Sequence, residues 1–259
     1  MGACSASAPC GAPSCVEVIN SRMDLLPGGK ARLQIPLSFA PMSFGLGHGR
    51  TLDVTGIGLA QRELPPADAG RLGPAYFFPA RPDAPFELEI GSGKGTFLLQ
   101  EAPSHPQVNF LGIEYAGEFY RYAADRIRRA ELSNVRMLYA DATEFLTHWL
   151  ADASCSVVHL YFSDPWPKTR HHKRRVVQDA TLAQFHRVLR PGGELRLVTD
   201  HDELWAWYQE HIARSAHIFT PTSFERPVSA ADGEVVGTNF ERKYQREGRP
   251  FHAVTLRRV

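Results

Sequence analysis

The sequence predicts an α/β protein with a mostly parallel, twisted sheet, helices on both faces and a late antiparallel edge strand. Three features predict it. From Phe86 onward, short apolar stretches alternate with segments whose apolar residues recur at helical spacing. A glycine-rich turn follows the first of those stretches. Acids stand just past later stretches in succession, at Glu114, Asp141, Asp164 and Asp200.

Phe86–Ile90 reads as a strand that runs into Gly91-Ser92-Gly93-Lys94-Gly95 and then a helix. Asn109–Ile113 is the second strand and ends at Glu114; Phe119, Tyr122, Ala123, Ile127 and Ala130 mark the helix after it. Asn134–Tyr139 and Val157–Phe162 are the third and fourth strands. Val176, Ala180, Ala183, Val188 and Leu189 mark another helix, stopped by Arg190-Pro191-Gly192-Gly193. Glu194–Thr199 is the fifth strand, ending at Asp200. Trp205, Trp207 and Tyr208 fall on a helix and are expected in the core, and His252–Arg258 is the edge strand. Open parallel sheets bind ligands outside the carboxyl ends of their strands, so the row of acids marks a site before any motif is considered.

Composition narrows the class. The chain has 259 residues, 43% hydrophobic and 22% charged, which suffices for a sizeable core and argues against wholesale disorder. No apolar run is long enough to cross a membrane. Lys+Arg is 29 against 28 Asp+Glu, so a globally basic coat is excluded while a local basic patch is not. Cys4, Cys10, Cys15 and Cys155 form neither a disulfide framework nor a zinc pattern, and no metal is expected. There is no secretory pattern, and Ala6 stands where a lipidation motif starting at Gly2 needs Ser or Thr. The expected location is cytoplasmic. Residues 1–15 read as a flexible tail. Residues 16–83 read as an N-terminal extension of unknown role, with short stretches such as Leu33–Leu37 between Gly/Pro turns, and residues 84–259 as the domain that carries the chemistry.

The glycine turn fails two phosphate-binding patterns. The dinucleotide fingerprint needs its third glycine where Thr96 stands, and the P-loop needs Lys-Ser/Thr directly after its last glycine. What remains, Glu89 followed by Gly91, Gly93 and Gly95, resembles the ExGxGxG pattern of class I S-adenosyl-L-methionine-dependent methyltransferases. That ligand carries an ammonium rather than a phosphate, which suits Glu89. Glu114 is positioned to accept from ribose hydroxyls, and Asp141-Ala142 to accept from an adenine amine.

Ser163-Asp164-Pro165-Trp166-Pro167 leaves the fourth strand and continues into a run holding Lys168, Arg170, Lys173, Arg174 and Arg175. Such a cluster on a near-neutral protein concentrates positive field where phosphates would arrive. With LEIGSGKG at 88–95, SDPWPKTRHHKRR at 163–175, LRPGG at 189–193, TD at 199–200 and TNFERKYQREGRP at 238–250, residues 86–259 resemble the tRNA (guanine-N7)-methyltransferase family.

The resemblance implies a class I (Rossmann-like) methyltransferase fold, S-adenosyl-L-methionine as cofactor and a guanine of the tRNA variable loop as substrate. Asp164-Pro165-Trp166 resembles the bacterial single-chain form, whereas eukaryotic members carry Asp-Pro-His and work with a WD-repeat partner, so no obligatory protein partner is expected. Carried over, Glu89, Gly91, Gly93, Gly95, Glu114, Asp141, Ala142 and Asp164 would line the cofactor side. Lys168, Asp200, Thr238, Asn239, Phe240 and Glu241 would contact guanosine. Arg170, Lys173, Arg174 and Arg175 would meet tRNA phosphates, and Asp164 would act in catalysis. The residues alone leave open a class I methyltransferase acting on another RNA or a small molecule, and whether Trp166 stacks on a base or only packs.

Overall fold

Alternation within Phe-Glu-Leu-Glu-Ile puts Phe86, Leu88 and Ile90 on one face of the central strand and Glu87 and Glu89 on the other. The computed structural model that contains this strand describes Leu46 and residues 49–259. The readings for residues 1–15, Leu33–Leu37, Cys4, Cys10 and Cys15 lie outside the described residues.

In chain order the elements are β1 (Gly58–Ala60), α1 (Pro74–Phe77), β2 (Phe86–Ile90), α2 (Thr96–Glu101), β3 (Asn109–Glu114), α3 (Gly117–Arg129), β4 (Val135–Tyr139), α4 (Ala142–His148) and β5 (Cys155–Tyr161). They continue as α5 (Asp179–Val188), β6 (Leu189–Thr199), α6 (Asp202–Arg214), β7 (Phe219–Thr222), α7 (Asn239–Arg246) and β8 (His252–Arg258). The sheet order is β1-β4-β3-β2-β5-β6-β8-β7. β1 through β6 pair in parallel, and β8 pairs antiparallel with both β6 and β7. The order reverses between β2 and β5, which opens a crevice at their carboxyl ends.

Each face has its own core. Leu88, Ile90, Leu111, Val158, Leu160, Leu195 and Leu197 pack toward Phe145 of α4, Phe185 of α5 and Tyr208 of α6. Phe110, Met137 and Val198 pack on the other side with Phe97 and Leu98 of α2 and Ala123 and Ile127 of α3. Trp205 and Trp207 are partly buried against the first core, and Tyr208 is fully inside it.

The sheet starts earlier in the chain than the boundary expected at residue 84. β1 pairs with β4, Leu72 bridges to Leu150, and Phe77 and Phe78 pack within 6.3 Å and 6.2 Å of the Phe86 ring. A strand as short as β1 has no periodicity to read, so its place is fixed by contact with β4 and by Tyr120, whose hydroxyl would lie 2.3 Å from a Cβ on Gly58. A second difference lies after α5. β6 begins at Leu189 and runs through Pro191-Gly192-Gly193, which the sequence predicts as a helix stop only. A register shift separates the Cys155–Leu189 and Val157–Glu194 pairings, so Pro191 sits where the ladder is interrupted.

Gly112, at the centre of β3, leaves no room for a side chain. A Cβ there would lie 2.6 Å from Leu98 Cδ1 and Ser92 Oγ, and 2.7 Å from Met137 Sδ. Gly112→Ala is therefore expected to destabilise the fold by about 1–3 kcal/mol through overpacking, read as a lower urea midpoint with an unchanged m-value.

Candidate active site

The glycine turn is sewn to the end of β3. Gly91 N–H and Ser92 N–H both donate to Ile113 O, at 2.9 Å and 3.0 Å, and Gly93 N–H donates to Glu114 Oε2 at 2.7 Å. Gly91, Gly93 and Gly95 have φ of +74°, +53° and +67°, the left-handed region where a side chain is strained. Gly95 also caps α2 and abuts it onto α3, since a Cβ there would sit 3.0 Å from that of Ala123.

A cavity of about 190 Å³ opens beside this turn at the β2/β5 crevice. Its walls include Glu89 and Gly91, Tyr161 and Phe162 from the end of β5, and Asn239 and Phe240 from the start of α7. Glu89 is only 5% exposed, and its Oε2 has no hydrogen-bond partner. Burial pushes its carboxyl up to about 8; the Ser92 hydroxyl pulls the other way and the Glu114 charge adds to the rise. Next to it, buried His159 joins Glu87 Oε2 at 2.9 Å and the Tyr161 hydroxyl at 2.7 Å. Sequence reasoning missed that pair, because a strand reading of Val157–Phe162 says nothing of which side chains on the neighbouring strand meet His159.

The remaining expected acids line up at the strand ends with differing engagement. Glu114 accepts from Gly93 N–H with one oxygen and from Ala116 N–H, at 2.7 Å, with the other. Burial raises its carboxyl above the usual range despite those donors, and the nearby Asp164 charge raises it further. Tyr115, beside it, is 71% exposed. Asp141 caps α4, accepting from Thr143 N–H at 2.8 Å and Glu144 N–H at 3.2 Å. Its own N–H donates to Gln61 Oε1 at 3.0 Å. Gln61 belongs to the segment before β2, where the sequence offers no signal for a site. Ala142 opens α4. Asp164 is exposed between Phe162 and Trp166, both non-glycine residues at positive φ, 53° and 43°. Strain of this kind persists where the surroundings over-determine the loop. The face of Trp166 carries the Arg174 guanidinium 4.8 Å above it.

The basic run forms a short 3-10 helix, Thr169–Arg174, with Lys168 at its start. Lys168, Arg170, Lys173 and Arg174 are exposed. Arg175 is not available to phosphates, contrary to expectation. It is 2% exposed, donates to Glu203 Oε1 at 2.6 Å and to Pro165 O at 2.9 Å, and lies 4.9 Å over the Trp207 ring. Its role is to fasten the Asp164–Trp166 loop to α6.

The α7 segment closes the site from the other side. Thr238 Oγ1 caps α7 by accepting from Glu241 N–H at 3.2 Å, and Asn239 Nδ2 donates to Thr96 Oγ1 at 3.0 Å. Phe240 is 47% exposed, and a Cβ on Gly93 would lie 3.6 Å from its ring. Glu241 is a second correction. It is fully buried and accepts from the N–H groups of Val235, Val236 and Gly237, so it shapes the loop before α7 instead of facing a substrate. Asp200, at the end of β6, accepts from Arg249 at 2.8 Å.

These residues fit S-adenosyl-L-methionine. The unpartnered Glu89 oxygen suits an ammonium, the side-chain-free face of Gly91 and Gly93 admits close approach, and Glu114 retains lone pairs for paired hydroxyls. The ligand-free protein should also register the raised Glu89 carboxyl. Its folded value lies above the ordinary 4.5, so the folded state holds a proton that the unfolded chain releases between about 4.5 and about 8. Stability should fall with rising pH across that window, by up to about 1.4 kcal/mol per pH unit. Glu89→Gln should remove the fall, so its gain in melting temperature over the parent should be larger at pH 8 than at pH 5.

Residues 83–254 match the family model described as "Putative methyltransferase". A protein of Nitrobacter hamburgensis named tRNA (guanine-N(7)-)-methyltransferase is 38% identical over 83% of this chain and 86% of its own. Relatives of the same name from Bradyrhizobium diazoefficiens and Streptococcus mutans are 41% and 32% identical, over 70% and 68% of this chain and 76% and 82% of theirs. Among solved structures, the aminoglycoside resistance methyltransferase NpmB1 shares the fold at a TM-score of 0.50 and 16% identity, over 73% of this chain and 95% of that one. With its glycine turn, its row of strand-end acids and relatives of this closeness, the chain belongs to the tRNA (guanine-N7)-methyltransferase family.

Proposed function

We propose that this chain transfers the methyl group of S-adenosyl-L-methionine to N7 of a guanine in tRNA, at the variable loop and without a protein partner. The observation that carries the reading is the cavity at the β2/β5 crevice, with an unpartnered Glu89 oxygen in its lining and an exposed basic run following the adjoining strand. No described helix is long and apolar enough to cross a membrane.

When bound, S-adenosyl-L-methionine supplies a methyl group activated by its sulfonium. Guanine N7 already presents an in-plane lone pair and has no proton to lose, so the chain needs no general base. Its task is to hold N7 in line and to favour the positive charge that develops on the purine. Asp164, exposed at the strained end of β5 and close enough to affect Glu114 and Tyr244, suits the second part of that task. Asp200 suits acceptance from guanine N1–H and its exocyclic amine, which adenine lacks on that edge. Lys168, Arg170, Lys173 and Arg174 give the phosphates a landing surface, and the base leaves its stack to reach the cavity.

The direct test is methyl transfer to a tRNA pool, with N7-methylguanine mapped by base-specific chain cleavage; absence of that product would overturn the reading. Asp164→Asn should lower single-turnover transfer by about 10²–10³-fold and change the tRNA dissociation constant by less than about threefold. Lys173→Ala or Arg174→Ala should reduce the slope of log K against log salt by about one unit for each phosphate no longer neutralised. Arg175→Ala should leave that slope unchanged and lower thermal stability by about 1–3 kcal/mol, as expected for a buried brace.

A further inference from the structure

Arg249 lies on the turn between α7 and β8 and has three partners. One terminal nitrogen donates to Asp200 Oδ2 at 2.8 Å, the other meets Glu247 Oε2 at 2.7 Å, and the guanidinium plane sits 4.2 Å from the centre of the Tyr244 ring. Tyr244 in turn packs on Phe240 and Phe162, both of which line the cavity. Asp200 thus has a largely buried carboxylate that is paired with a side chain of its own protein. That side chain, Arg249, is 42% exposed and sits on a long, flexible stem.

The chemistry of the partner is informative. A guanidinium is a flat unit with N–H donors on nitrogens that share one carbon. The N1–H and exocyclic amine of guanine are the same unit fused into a purine, and adenine has no counterpart. Arg249 offers Asp200 one N–H and lays its guanidinium on the Tyr244 ring; a guanine edge would replace both contacts and add a second donor.

We propose that the Arg249 guanidinium occupies the guanine-recognition subsite formed by Asp200 and Tyr244 in the RNA-free protein, and that the substrate guanine displaces it. The proposal rests on the reading of the site as a guanine methyltransferase. In it, Asp200 is the recognising acceptor, Tyr244 the stacking face, and Arg249 an internal competitor that keeps a buried carboxylate paired until the base arrives. Once displaced, Arg249 becomes an additional cation at the mouth of the site. Guanine is then favoured for a physical reason: its edge brings two adjacent donors to Asp200, whereas adenine brings one donor beside an acceptor nitrogen that the carboxylate repels.

The test uses the full chain with S-adenosylhomocysteine present and free guanosine and adenosine as probes, with binding followed by ligand-observed NMR titration. Arg249→Met keeps the length of the stem and removes the donors. It should tighten guanosine binding at least threefold and leave adenosine unchanged, while Asp200→Asn should abolish the preference for guanosine in both backgrounds. Unchanged or weaker guanosine binding in a folded Arg249→Met protein would overturn the proposal, as would tighter binding of both nucleosides alike. Transfer to tRNA by the parent, measured alongside, reports the underlying reading separately. Intact transfer without a gain for Arg249→Met sinks only the competitor role, whereas no transfer by the parent sinks both.

Discussion

Glu89 is held inside the protein with one carboxylate oxygen unpartnered, at the point where the strand order of the sheet reverses. An acid in that state is unfavourable in the ligand-free protein, as its raised carboxyl records. The surroundings are built to keep it there. Leu88 and Ile90 anchor the strand in the core of the opposite face, and the glycine turn directly after it is tied to Ile113 and Glu114 by three backbone donors. The turn cannot relax outward to hydrate the carboxylate, and Gly112 lets α2 close over β3 behind it. A cation beside the carboxyl would favour its ionised form, so its arrival would be coupled to release of the proton that burial keeps there near neutral pH.

The basic run divides into two physical roles that composition does not separate. Lys168, Arg170, Lys173 and Arg174 stay in water, where a cation is easily held. Arg175 goes inward, pairs with Glu203 and stacks on Trp207, and so attaches the strained Asp164–Trp166 loop to α6. The same logic divides the α7 segment. Glu241 is consumed by three backbone N–H groups, while Phe240 and Asn239 remain at the cavity. One short motif therefore both builds the loop and lines the cavity.

Much of this was legible in the sequence. Alternation in Phe86–Ile90 and the spacing of Ala123 and Ile127 mark a strand and a helix, because one-sided burial imposes its period on the chain. The glycines at 91, 93 and 95 mark left-handed backbone, and the acids at 114, 141, 164 and 200 mark the carboxyl ends of successive strands. These are local signals, carried by residue type and position alone.

Other features depend on neighbours distant in the chain. β1 is too short to show a period and exists because β4 offers it a pairing edge. The extended run through Pro191-Gly192-Gly193 exists because the β5 register shifts there. Arg175 and Glu241 read as ligand contacts from their motifs, and only the positions of Glu203, Trp207 and the 235–237 backbone turn them into structure. The pairing of Asp200 with Arg249 over Tyr244 likewise joins β6 to the turn after α7. The sequence by itself determined which residues have the chemistry to bind, since donors, charges and backbone freedom are properties of single residues. The tertiary structure decided which of them are free to do so, because a charged group can satisfy only a few partners and packing settles which ones reach it first.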